Sequence, residues 1–443
     1  MKRFLYLLSI TAVLLCACSR STETTQVNRS LAQLKSFYFV KNDSMPGLAK
    51  AVFTVEERND TGLVWNRDSI LYGTSLKRVV PRFTFAATPD AAYLTMNDTI
   101  HVLTGYDTLD FTKTPIYLTI RSADKSNIKT YEIRATVHQA DPDLYTWTQL
   151  SAGVLGRDDC DQRVVETGSD FTMLTSNGFD LRAYRSADGA SWEDVGTMKG
   201  LPAGTKVRQI VSDGTTLYYG QDSMVYTSTD AVTWTGKKVS HPITTLLLYW
   251  NKHVWALVQN NKKYELAYIE QDTLKLSGLQ PGTDFPVSDF GTVCFISSSL
   301  RERAMIIGGF AENGLALNTR WNLEYSSHIK ENNGYRLQEY SQDRPSFQSM
   351  TGISVVYYNN QLLLFGGVDG NMTYLGRDVL VSTDEGLNWT KADTTKNRLP
   401  EAYQARQKLS TIVRENSIFI FGGEDSEQTY SDVYRGRLNS IDW

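Results

Sequence analysis

Few side chains in this 443-residue chain have the type and spacing that chemistry needs. The five histidines are dispersed, and there is no H-E-x-x-H pair, G-x-S-x-G elbow or phosphate loop. Beyond the N-terminal leader only Cys160 and Cys294 remain, too far apart for a disulfide framework or a zinc knuckle. Cys294, inside the apolar run VCFI, is expected in a core, and Cys160, between Asp159 and Asp161, as an idle thiol. Asp158-Asp159-Asp161 and Glu424-Asp425-Glu427 offer oxygen ligands but lack calcium-loop spacing, so solvated loop charge is the reading. No catalytic residue, metal or cofactor is assigned.

A richer set of polar groups lies in three long segments, 310–319, 368–377 and 424–431. Asn313, Arg320, Asp369, Asn371, Tyr374, Glu424, Asp425 and Tyr430 fall within or beside them and combine hydrogen-bonding groups with stacking surface. Loops of this length are uncommon unless they act. The expectation is a ligand-binding face on which alanine at Tyr374 or Tyr430 weakens binding without lowering the melting temperature. The competing expectation is that these loops only pack together and shield strand ends.

Two repeat signals state which elements must position these loops. Gly308-Gly309, Gly366-Gly367 and Gly422-Gly423 follow the apolar runs MII, LLLF and FIF at spacings of 58 and 56 residues. Trp147, Trp192, Trp234 and Trp389 sit in the phrases YTWTQL, ASWEDV, VTWTGK and LNWTKA. Three of these tryptophans close Ser-x-Asp turns, at Ser186-Ala187-Asp188, Ser228-Thr229-Asp230 and Ser382-Thr383-Asp384. The paired glycines resemble kelch repeats, of about 50 residues each. SxDxGxxW at 382–389 resembles the Asp-box of sialidase-type propellers, and the other two turns are copies one residue shorter. Both resemblances imply an all-β chain with a β-propeller over 141–443. Six blades are expected, near 155–196, 203–236, 240–277, 284–341, 346–394 and 400–443, with seven as the alternative count. The last blade has three obvious strands, whereas residues 145–150 read as an outer strand with no blade before it. That segment is expected to close the ring, which removes two exposed sheet edges.

The sialidase resemblance would imply an arginine triad, and Arg182, Arg208 and Arg320 are the candidates by number alone. The Arg-Ile-Pro segment of that family is absent, and no carboxylate pair can be placed at a usable separation. Enzymatic activity is therefore left open, with a non-catalytic role favoured.

Upstream, residues 31–140 carry about seven short strands with turn signals, including IYLTI at 116–120 and YEIRATV at 131–137. Their alternation predicts an Ig-like β-sandwich, ended by the break at Gln139–Asp143. Lys2 and Arg3 precede an apolar run from Phe4 to Leu15, too short to span a bilayer. Leu15-Cys16-Ala17-Cys18 then resembles a bacterial lipobox, which implies a signal peptide over 1–18, lipidation of Cys18 and a flexible tether over 19–30. A tethered Ig-like module followed by a propeller resembles surface lipoproteins of the Bacteroidetes type. The resemblance implies a cell-envelope location, with the outer membrane expected, and recognition of a glycan or an envelope protein. A polysaccharide-acting hydrolase or lyase, and a structural subunit of an envelope complex, are the alternatives. With a net charge of −4 and no basic stripe, no nucleic-acid partner is expected.

Overall fold

A computed structural model describes residues 28–153, 161–340 and 347–439. Cys16, Cys18, Asp158, Asp159 and Cys160 lie outside the described residues. The chain divides into two compact units at Asp141/Pro142.

In the first unit the period-two runs become strands because one face of each is apolar. Ile116, Leu118 and Ile120 are buried from one strand, and Tyr131 and Ile133 from its neighbour. Six strands pair in the order Phe53–Glu56, Thr61–Asn66, Ile128–Arg134, Ile116–Arg121, Ala91–Met96, Thr99–Val102. Thr61–Asn66 and Ile128–Arg134 run parallel. A separate ribbon of Leu34–Phe39 and Pro81–Phe85 shares their core. The sandwich is uneven, six strands against two. Edge-on aromatic contacts join the sheets, with Phe37 and Phe53 at 4.7 Å and 85°.

The second unit is built of antiparallel sheets. Those of four strands are Asp161–Thr167 to Glu193–Thr197, Gly291–Ile296 to Tyr335–Glu339, and Ser354–Tyr358 to Thr390–Lys391. The fourth comprises Ser410–Arg414, Ser417–Glu424, Thr429–Leu438 and, returning from the start of the unit, Tyr145–Ser151. Between them lies a sheet of six strands in which Thr235–Trp250 serves two units. Its first part pairs with Met224–Thr227, and from Ile243 it pairs with the strand His253–Asn260. Asp161–Thr167, Val211–Ser212, Thr235–Trp250, Gly291–Ile296, Ser354–Tyr358 and Ser410–Arg414 each bring residues to one axial cavity.

Local chemistry explains the turns. In all three Ser-x-Asp turns the Asp carboxylate accepts the backbone N–H groups ahead of the tryptophan, such as that of Asn388 to Asp384 at 2.8 Å. Each tryptophan donates its indole N–H to a turn carbonyl, Trp389 to Gly386 at 3.2 Å. The paired glycines have consecutive left-handed φ angles, 62° and 91° at Gly366 and Gly367. A Cβ on Gly367 would stand 2.8 Å from the Thr351 carbonyl, so these pairs serve close strand approach.

Cys294 departs from the core position expected of it. Register puts Val293 and Phe295 on the packed face of their strand and leaves Cys294 exposed, its thiol 3.4 Å from the Tyr249 carbonyl.

Candidate functional site

The six inner strands converge on an axial cavity of about 440 Å3, with Val164, Val211, Leu246, Thr292, Val355 and Thr411 on its walls. Seven charged side chains gather there: Asp161, Arg163, Lys206, Arg208, Asp289, Lys408 and Glu424.

Three of the six inner strands are preceded, two residues earlier, by a residue with left-handed φ: Asp289 at 51°, Gly352 at 64° and Lys408 at 56°. This conformation turns the backbone groups sideways so that neighbouring units bond to one another. Gly352 N–H donates to the Asp289 carbonyl at 2.7 Å, and Lys408 N–H to the Gly352 carbonyl at 2.6 Å. Arg208 continues the belt by donating to the Lys408 carbonyl, and at 3.4 Å to that of Gln162. Arg208 is carried by the short turn Val207–Gln209, pinned by the fully buried Val207 and Ile210.

Charge pairing follows the same geometry. The Arg208 Nε lies 3.8 Å from Asp161 and 3.9 Å from Asp289, and Lys408 Nζ is 2.6 Å from Glu424. Burial raises the Asp161 carboxyl to about 6, against the pull of Arg208 and Lys408. Burial also lowers Arg163 to about 10, and the Arg208 charge adds to the effect.

The Asp161 shift makes a pH-dependent prediction. Its folded pKa exceeds the unfolded 3.8, so its stabilising share is complete below that value and is lost as pH rises through about 6. The Asp161 side chain is 36% exposed, so solvent screening reduces the effect, and Asp161→Asn is expected to melt only slightly higher than the parent at pH 7.5. The gap should close near pH 4. Thermal unfolding at the two pH values checks this, and a variant less stable at both would show that Asp161 mainly supports Arg208.

With the fold and the cavity described, family models place the chain. One described as the DUF6242 beta propeller domain matches residues 141–443, and one for the DUF6242 N-terminal domain matches 21–135. The chain belongs to the DUF6242 family. No curated protein matches it. A solved structure described as "Structure of YjhT" is 14% identical, with a TM-score of 0.47, covering 64% of this chain and 96% of that one.

In this DUF6242 propeller the polar loop residues expected to form the site have diverse placements. Glu424 lines the cavity beside Lys408. Tyr374 is half-buried and is not among the residues that line the cavity; burial, and then the Asp425 and Glu424 charges, raise its phenol. Asp369 and Asp425 are turn builders, each accepting loop N–H groups, as from Thr373 and Gln428 at 2.8 Å. Asn313 does the same for Leu315 at 3.1 Å, and Asn371 is exposed. Arg320 is 2% exposed, donates to the Tyr340 carbonyl at 2.9 Å and lies over Phe347, which buries it between its blade and the next. Tyr430 corrects the expectation attached to it. Its ring covers the buried Arg406 guanidinium at 3.8 Å and its hydroxyl donates to Asp425, so alanine there will lower stability as well.

Arg182, Arg208 and Arg320 form no triad: Arg182 pairs with Asp194 and Asp180 in its own blade. Sequence reasoning missed Arg163, Lys206, Asp289 and Lys408. The detectable signal was a charged or glycine residue two positions before the inner strands of the glycine-pair blades, at 289, 352 and 408.

Proposed function

We propose that this chain is a recognition module of the cell envelope, tethered by lipid on Cys18 and taking a glycan at the axial mouth of its propeller. The observation that carries the reading is the 440 Å3 cavity into which seven charged side chains converge. A space of that size with a polar rim and partly apolar walls admits a sugar unit rather than a folded protein surface. Lys408 and Glu424 supply donors and acceptors, and Tyr374 a ring of the kind sugars stack on.

Screening glycan pools by thermal shift on the intact protein tests this, because a ligand of the native state alone raises its stability. For a hit, Lys408→Ala and Tyr374→Ala are each expected to weaken binding roughly tenfold, about 1.4 kcal/mol. Unchanged affinity in both variants, or a footprint on the Ser-x-Asp turn side, would overturn the placement. In the same preparation Cys18→Ser should move the protein from the detergent to the aqueous phase, whereas retention in detergent would defeat the anchor.

A second reading, a polysaccharide-acting hydrolase or lyase, is favoured by the Asp161 carboxyl near 6 with Asp289 across Arg208. Turnover of a bound glycan would select it.

A further inference from the structure

Charge is not balanced within the axial cavity. Arg208 faces two carboxylates, and Lys408 holds Glu424 at 2.6 Å. Lys206 is exposed and solvated. Arg163 differs from all of these. It lies on the inner strand Asp161–Thr167, in register with Leu174, on the strand face opposite the buried Gln162 and Val164. Among the described residues its guanidinium makes no hydrogen bond and no ion pair, and its Nε is buried without an acceptor. The charge that acts on it most is Arg208, of the same sign.

An uncompensated cation beside another cation in a partly desolvated cavity is costly to keep. Core packing does not require it, since the strand's apolar contacts come from Val164 and Val165. A guanidinium also has a specific chemical aptitude, because its planar fork matches two oxygens of one carboxylate, sulfate or phosphate. Arg208 donates through one fork nitrogen to two backbone carbonyls and has two carboxylates at 3.8 and 3.9 Å from its Nε. Arg163 has its fork open.

We infer that the axial cavity is an oxyanion site, in which Arg163 receives the acidic group of the ligand while the Arg208 belt fixes the strand ends around it. This rests on reading the axial mouth as the ligand site, and it deepens that reading by naming the ligand class: an acidic sugar, or a sugar bearing sulfate or phosphate. Both share the oxyanion, and separate probes distinguish them. The apolar wall at Leu246 and Ile353 would face the uncharged remainder of the ligand.

The test uses the intact protein in low-salt buffer at pH 6, with calorimetric titration of glucuronate, inorganic sulfate, inorganic phosphate and, as the neutral control, glucose. At least one oxyanion is expected to bind saturably and at least tenfold tighter than glucose. Arg163→Gln should abolish that preference and, unlike loss of a structural residue, raise the melting temperature of the ligand-free protein. Arg163→Lys should keep the charge and recover only part of the affinity, because the fork is lost. Preference for glucuronate assigns a carboxylate ligand, and preference for sulfate or phosphate assigns the ester.

Three results would overturn the inference. One is the absence of saturable binding by all three oxyanions. Another is oxyanion binding unchanged in Arg163→Gln, and the third is a lower melting temperature in that variant. If glucose binds as well as glucuronate and Lys408→Ala abolishes both, the oxyanion inference falls while the axial ligand site stands.

Discussion

Replacing Arg406 by alanine is expected to destabilise the propeller by about 3–5 kcal/mol, the usual effect of removing one partner from a buried ion pair. Arg406 is fully buried and makes a two-pronged contact with Asp432, the second prong at 3.2 Å. It also donates to the Gln404 carbonyl at 2.9 Å and the Gly422 carbonyl at 3.2 Å. Tyr403 and Tyr430 enclose it, with ring centres 4.4 and 3.8 Å from the guanidinium carbon. The alanine variant would leave a buried carboxylate and two carbonyls without their donor. Asp432→Asn should be milder, and Arg406→Met with Asp432→Leu should lose less than the two single changes together, because no lone charge remains. Urea unfolding of the four proteins measures this. A loss below about 1 kcal/mol for Arg406→Ala would mean that water replaces the guanidinium, contrary to the packing described.

The second large effect concerns ring closure. Tyr145–Ser151 pairs with Thr429–Leu438, matching Leu438 to Tyr145, Gly436 to Trp147 and Tyr434 to Gln149. Trp147 lies flat over Gly436, where a Cβ would come within 2.4 Å of the indole, and meets Phe365 at 5.7 Å on its other side. A chain that begins after Ser151 would expose the edge of Thr429–Leu438 and uncover Phe365. Its melting temperature should fall on the order of 10 °C, from several kcal/mol of lost aromatic packing, and it should aggregate on heating. A chain beginning at Asp141 keeps the strand and should melt as the parent does. In the full chain, Gly436→Val should reproduce much of the loss by pushing Trp147 away. Equal melting of both shortened chains would remove the closing strand from the stability of the ring.

The candidate site was less readable than the elements that carry it. Runs such as LLLF before Gly366-Gly367 are legible because a strand packed on both faces must be apolar throughout. The Ser-x-Asp turns are legible because their hydrogen bonds close within a few residues, as from Asn388 to Asp384. Loop length drew attention to Glu424, which lines the cavity, and equally to Arg320, which is buried. Sequence position cannot separate them, since both flank long loops and differ only in which way their strand faces.

By itself, the sequence determined the local matters: an all-β chain, strands punctuated by glycine pairs and Ser-x-Asp turns, and a polar break near Pro142. Each of these depends on neighbours within one hairpin. Tertiary structure alone decided which charges meet. Asp161, Arg208, Asp289 and Lys408 come from separate blades and each reads as ordinary loop charge, yet ring geometry brings all four to one cavity. Arg163 shows the reason most directly. Alternation assigns it to the face opposite Val164, the face it shares with the buried Val165. Here the ring brings that position to the axial cavity, where the cation has no ion-pair partner among the described residues.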